Sequence, residues 1–360
     1  MLLEDLIECC DGKSNPIKFF SAHEILKATN NFSYSNRVSE LFDFVCVWYS
    51  CKNENHHKIL ISRFKFVEGN FCRNIAVSSM VSGHKNFLKL VGCCLEFEDP
   101  VLVYHGVKKH YKLNISEQPW KRRMKIAEDI ATALAYLHTA FPRPFVYRSM
   151  SLWNILLDED GIAKLTDFSD CLLIPKGETF VQVDSPLALS GYMDPKYMMS
   201  GVVSEETDVF AFGILLKTLL AGKINFLELQ EELKEECEGD DDSEINVERR
   251  YVPHWSFNLL EERRIDEIAD PKMLEKMGEI SEEELCQMKA FLMLSLRCVD
   301  HNGEVPTMVE VAKELKKIQR SLKNDSSSPS RETQFDSIPK SFLSQSSSQI
   351  RLKNTKALLS

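Results

Sequence analysis

The chain has 360 residues, 44% hydrophobic and 27% charged, apolar enough to bury one large core or two ordinary ones. Its formal net charge of -10 resides almost wholly in residues 228–244, where ten acids stand against one lysine. The remainder is near neutral and carries no basic footprint for nucleic acid. Eleven cysteines occur without any C-x-x-C spacing, which points to reduced thiols in a cytosolic protein rather than a disulfide framework.

In chain order, MLLEDLIECC has acids where a secretory signal needs basic residues, and Leu2 stands where N-myristoylation needs glycine,. Cys9 and Cys10 remain candidates for acylation, and no apolar run reaches the ~18 residues of a membrane span,. A leader occupies residues 1–35. Within it Phe19, Phe20, Ile25 and Leu26 place bulky apolar groups close together. They read either as cover for the following lobe or as an exposed patch for a partner.

Between residues 37 and 67, FVCVWY and KILISRFKF are rich in β-branched and aromatic residues and flank the polar turn KNENHH, which predicts two strands. Helical spacing covers about Asn74 to Val81, Trp120 to His138, Thr207 to Leu220, Ser281 to Val299 and Met308 to Lys323,. Strands first and helices later predict an α+β fold, with a small β-rich lobe over 36–105 and a larger helical lobe over 106–320. The acidic run reads as a solvated loop, with an acidic docking patch as the alternative. Residues 321–360 hold a dozen serines and little apolar periodicity, as expected of a disordered tail.

Four stretches read together resemble the plant receptor-like kinases. They are KATNNFS around Asn30-Asn31-Phe32-Ser33, HKNFLKLVGCCLE (84–96), YRSMSLWNILLDEDGIAKLTDFS (147–169), and SGYMDPKY followed by SEETDVFAFGILL. Their order and spacing cover roughly residues 19–320, and the resemblance implies a bilobal protein-kinase-like fold.

Phosphoryl transfer needs a glycine-rich loop, a lysine paired with a helix glutamate, a base for the hydroxyl, and magnesium ligands. No glycine lies between Gly12 and Gly69, and Leu41, Phe42 and Phe44 stand where backbone N–H groups should cradle phosphate,. Ser62 takes the lysine position, or Arg63 after a one-residue slip. Ile75 takes the glutamate position, and no acid occurs between Gly69 and Leu95. Ser149 replaces the catalytic aspartate in Tyr147-Arg148-Ser149, and Ser151 replaces the following lysine. A serine hydroxyl cannot accept a proton near neutrality, and losing a positioned base costs ~10² to 10⁴ in rate. Asn154 and Asp167 survive as magnesium ligands or, equally, as acceptors that order the loop. Asp194-Pro195-Lys196 and Glu304-Val305-Pro306 have lost both members of an ion pair that resembling kinases carry. Arg148, Asp208, Gly191, Phe212 and Gly213 are retained as scaffold.

The short leader and the degenerate loop look like the ZRK family of plant pseudokinases. That resemblance implies an immune adaptor without kinase activity and without a bound cofactor. Its implied partners are the leucine-rich repeats of a coiled-coil NLR receptor, receptor-like cytoplasmic kinases and pathogen effectors. It would be cytoplasmic, meeting the plasma membrane only through those partners. Three alternatives stay open at this point: a weakly active serine/threonine kinase using Arg63 or Lys65, a scaffold gated by Mg-ATP, and a decoy modified at Thr179, Ser185 or Ser190.

Overall fold

The computed structural model describes residues 17–38, 46–52, 56–64, 71–106, 110–184, 192–222, 264–300 and 303–320. The tail, the acidic run, Leu41, Phe42, Phe44, Lys65, Ser185, Ser190 and Gly191 lie outside them.

The small lobe is a five-stranded sheet in the order β1-β4-β5-β3-β2. Its strands are β1 (Lys18–Phe19), β2 (Cys46–Lys52), β3 (Lys58–Phe64), β4 (Leu90–Cys94) and β5 (Val101–His105). Two helices accompany it, α1 (Ala22–Thr29) and α2 (Phe71–Val81). The pleat places two apolar sets on opposite faces of β2, β3 and β5. Cys46, Trp48, Leu60, Leu102 and Tyr104 share one face with Leu88 and Leu90. Val47, Tyr49, Ile59, Ile61, Val101 and Val103 share the other.

The outer face is covered by the leader. Lys18 and Phe19 pair in parallel with Gly92 and Cys93 of β4. A Cβ at Gly92 would overlap the Lys18 carbonyl, so glycine is what admits this extra strand. Ser21 and Glu24 then form a reciprocal capping box that starts α1,. Next come Asn30, Asn31 and Phe32, all in the left-handed region, with φ of 50, 53 and 56°. Asparagine tolerates that region and phenylalanine does not, at a cost of about 1–2 kcal/mol. The Phe32 ring lies against Tyr49 at 5.3 Å and Phe97 at 5.5 Å, and the Arg63 guanidinium covers it at 4.7 Å. These contacts hold the turn.

Two of the four leader residues expected as partner contacts are therefore corrected. Phe20 and Ile25 are 9% and 1% exposed and belong to the core under the sheet. Leu26 is half-buried, and Phe19, at 69% exposure, points to solvent. The difference follows from the strand pairing, which turns alternate residues to opposite sides.

The large lobe follows, with β6 (His110–Lys112), α3 (Trp120–Thr139), β7 (Phe145–Val146), β8 (Ile155–Asp158), β9 (Ala163–Leu165), α4 (Pro195–Ser200), α5 (Glu205–Ala221), α6 (Ile265–Ile268), α7 (Pro271–Met277), α8 (Glu282–Val299) and α9 (Met308–Arg320). Strands β6, β8 and β9 form one antiparallel sheet. Helix α5 is buried along nearly its whole length. A Cβ on its Gly213 would come within 3.0 Å of Val299, Cys298 and the Ser295 carbonyl, so the retained glycine sets the close packing of α5 on α8.

An ion pair lies inside this lobe. Arg123 of α3 reaches Asp270 at 2.5 Å while also donating to the Gln118 and Leu219 carbonyls. By contrast Lys196 is exposed, 4.0 Å from an exposed Glu206, and Val305 packs on the apolar core.

Truncating a buried leader side chain should cost as much as truncating a core one. Ile25→Ala is expected to lower unfolding stability by about 2–4 kcal/mol, and Phe19→Ala by less than about 0.5. Urea unfolding of the two variants against the parent chain measures both.

Candidate functional site

The cleft between the lobes is built around the loop 147–154 and the segment 163–169, which begins with β9. Asp208, near the start of α5, accepts from the backbone N–H of Tyr147 at 2.7 Å and of Arg148 at 2.9 Å, and contacts His138 Nε2 at 2.9 Å. Arg148 is thereby held at φ 63°, a conformation that costs a non-glycine residue about 1–3 kcal/mol. Its guanidinium donates to the Asp170 carbonyl at 3.1 Å and to the Tyr197 hydroxyl at 2.6 Å. The loop is thus tied to the end of the activation segment through neutral partners.

Tyr147 is fully buried, and burial pushes its phenol well above the ordinary value. It stays neutral and donates to the Thr166 carbonyl at 2.6 Å. Ser149, at the base position, is buried and offers its hydroxyl to Asp170 at 3.4 Å. It acts as a donor, the reverse of what a base must do. Ser151 caps the short turn 152–154 by accepting from the Trp153 N–H at 3.2 Å. A capping hydroxyl stands where the resembling kinases carry a lysine.

The two retained acceptors are engaged inside the chain. The Asn154 side chain donates through Nδ2 to the Ser149 carbonyl at 2.8 Å, and its backbone carbonyl receives the Thr166 N–H at 3.0 Å. Asp167, at φ 58°, has one oxygen accepting from Asn74 Nδ2 at 3.2 Å, the Ser169 N–H at 3.1 Å and the Ser169 hydroxyl at 2.5 Å. Phe168 is buried against Phe87 and Tyr147 at 5.7 and 5.8 Å between ring centroids.

On the small-lobe side, Ser62 pairs with Trp48 and Leu102 and shares their face. It is fully buried next to the Tyr104 hydroxyl, without a hydrogen bond of good geometry to any described residue. Arg63 pairs with Val47 and Val101, lies on the outer face over Phe32, and bridges to Asp99 at 3.1 Å. The register slip that would bring Arg63 into the cleft is therefore ruled out, because it would turn the whole strand inside out. Arg63 cannot serve as a substitute lysine. Ile75 is half-buried against the inner apolar cluster, and the helix residue that reaches the strand 165–169 is its neighbour Asn74.

That residue was missed in the sequence. A signal was present, since Asn74, Ser78 and Ser82 recur every four residues and make a polar stripe on one face of an apolar helix,. The inner cluster adds a further feature: Leu156, from the large lobe, is buried among Cys46, Trp48, Leu60, Leu102 and Tyr104 of the small lobe. Thr179, named as a modification candidate, is exposed just before residues 181–182.

A bilobal fold with an intact loop brace and no lysine, glutamate or base in place defines a protein kinase domain without its chemistry. The sequence profile of the protein kinase domain matches residues 49–297. A "probable inactive receptor-like protein kinase" of Arabidopsis thaliana is 65% identical over 343 residues, 93% of this chain and 91% of that protein. The inactive serine/threonine-protein kinase ZRK12 of the same plant is 64% identical, over 93% and 82% of the two chains. Among solved structures, the pseudokinase domain of BIR2, an immune regulator of the RLK/Pelle family, shares the fold with a TM-score of 0.56 at 20% identity, covering 89% of this chain and 94% of that one. The chain belongs to the protein kinase family, within its ZRK group of receptor-like pseudokinases, and it is not an active kinase.

Scaffold and lost chemistry should separate under mutation. Asp208→Ala removes a buried acceptor of two backbone N–H groups and is expected to cost about 3–5 kcal/mol in stability. Ser149→Ala should cost less than about 1 kcal/mol. Parallel denaturant titrations give the comparison.

Proposed function

We propose that the protein is a kinase-fold adaptor of plant innate immunity. It seats on the leucine-rich repeats of a coiled-coil NLR receptor and recruits receptor-like cytoplasmic kinases altered by pathogen effectors. The observation that carries this reading is the Asp208 brace, kept intact around a loop whose base has become a buried serine donor. A fold maintained after its chemistry is gone is maintained for its surfaces. Among the described residues no helix is long and apolar enough to cross a membrane, and the adaptor would work in the cytoplasm, meeting the plasma membrane through its partners.

Nucleotide has no part in this reading. In a kinase it lies between the glycine-loop strands, the β3 lysine and the metal-binding aspartate. Here Trp48, Leu60, Leu102 and Leu156 pack together across that gap. A buried neutral serine stands in for the lysine, and three donors of the chain itself occupy one oxygen of Asp167. These residues do not fit Mg-ATP. A bound ligand must raise stability by RT ln(1 + [L]/Kd). Millimolar Mg-ATP is therefore expected to leave the melting temperature unchanged, and purified protein should transfer no labelled phosphate above a Ser149→Ala control. A shift of several degrees would favour the nucleotide-gated scaffold that the retained Asn154 and Asp167 otherwise suggest.

Among the described residues of the leader, Phe19 and Tyr34 are the large apolar groups exposed, at 69% and 78%. An aromatic anchor in an interface supplies roughly 2 kcal/mol or more. Phe19→Ala should weaken co-purification with the receptor by at least about tenfold at unchanged melting temperature. The single substitution is the informative one, because Phe20 is core. Receptor binding retained by the Phe19→Ala variant would move the interface away from the leader.

A further inference from the structure

We propose that Asn74 is a neutral lock that fixes helix α2 to the segment 167–169 and so holds the two together without nucleotide, metal or ion pair. An asparagine side chain has two donor hydrogens and two acceptor positions, and here all four are used inside the protein. Nδ2 donates to Asp167 Oδ1 at 3.2 Å and to the Ser169 hydroxyl at 3.4 Å. Oδ1 accepts from the Phe168 N–H at 3.2 Å and from the Ser78 hydroxyl at 3.1 Å. The Phe168 N–H can only donate, which fixes the orientation of the amide.

The side chain is fully buried, so each of these bonds would be costly to break without replacement. The stripe continues along α2, where the Ser82 hydroxyl donates to the Ser78 carbonyl at 2.6 Å and accepts from the Leu90 N–H at 3.0 Å. Asn74 thus stands in a chain of bonds running from Asp167 through the helix to the first residue of β4. Arg73 adds a longer contact from the same helix turn to the Ser169 carbonyl at 3.5 Å.

In an active kinase, the corresponding link from helix to cleft is an ion pair whose lysine also meets the nucleotide phosphates, so cofactor and conformation are coupled. Amide, hydroxyl and backbone partners need no counter-ion from outside and cost less to bury than charges. The left-handed backbone of Asp167 and the inward placement of Phe168 are maintained by this contact. The inference rests on the geometry alone and stands whether or not the immune partners proposed above are the right ones.

Hydrogen exchange measured by mass spectrometry on the full chain tests it. Asn74→Leu keeps the branched side-chain shape and removes all four bonds; peptides covering 71–81 and 165–173 should exchange at least about tenfold faster, with those in α5 and α8 unchanged. Asn74→Asp sets two carboxylates together and should do the same. The reciprocal variant, Asn74→Asp with Asp167→Asn, removes the pairing of like charges and lets the amide at 167 donate to the carboxylate at 74, at the loss of the Ser169 N–H bond to Asp167 Oδ1, and should recover part of the lost protection. A residue that merely filled space would show no such recovery. Uniform loss of protection across the chain in the single variants, with none regained by the reciprocal one, would overturn the proposal. So would protection of 71–81 in the parent chain that increases on adding Mg-ATP.

Discussion

The carboxylate of Asp208 lies beyond the reach of water and receives two consecutive backbone N–H groups from the turn at Tyr147 and Arg148. That arrangement is expensive to assemble and useless to dismantle partway, because a buried carboxylate deprived of its donors costs several kcal/mol. Its consequences spread outward. The kinked loop directs the Arg148 guanidinium to Tyr197 and Asp170, sets Ser149 beside Asp170, and leaves the Asn154 amide facing the loop's own carbonyl. Helix α5, which supplies Asp208, is fixed in turn by the close approach of Gly213 to α8.

What changed around this brace changed in a consistent physical direction. Set against the kinases it resembles, the chain has groups that need no counter-charge at three positions of the reaction: serine for lysine at 62, isoleucine for glutamate at 75 and serine for aspartate at 149. Removing one partner of a buried ion pair is strongly destabilising, whereas removing both can be nearly neutral. Arg123 and Asp270, both buried, keep each other as partners. Loss of catalysis therefore need not have weakened the fold.

The strands and long helices were legible because their apolar spacing is strong, and the observed α3, α5 and α8 begin and end within two residues of expectation. The missing chemistry was legible too, since it depends on residue identity at fixed spacing. Three features were not. Strand β1 is two residues long, too short for any periodicity. The exclusion of Arg63 from the cleft depends on the cross-strand register, which places Ser62 opposite both Trp48 and Leu102. Asn74 was overlooked because attention fell on the position where a glutamate was expected, while the polar contact had moved to the neighbouring side of the helix.

The leader's place in the fold also sets where the protein can be cut. Phe20, Ile25 and Phe32 cover an apolar face formed by Val47, Ile59, Ile61, Val101 and Val103, and each aliphatic side chain uncovered there forfeits on the order of 1.5–3 kcal/mol. A fragment starting at the first long strand would keep every motif of the kinase fold and still present an open, sticky sheet surface to its neighbours. The natural unit of expression is the leader and the lobe together.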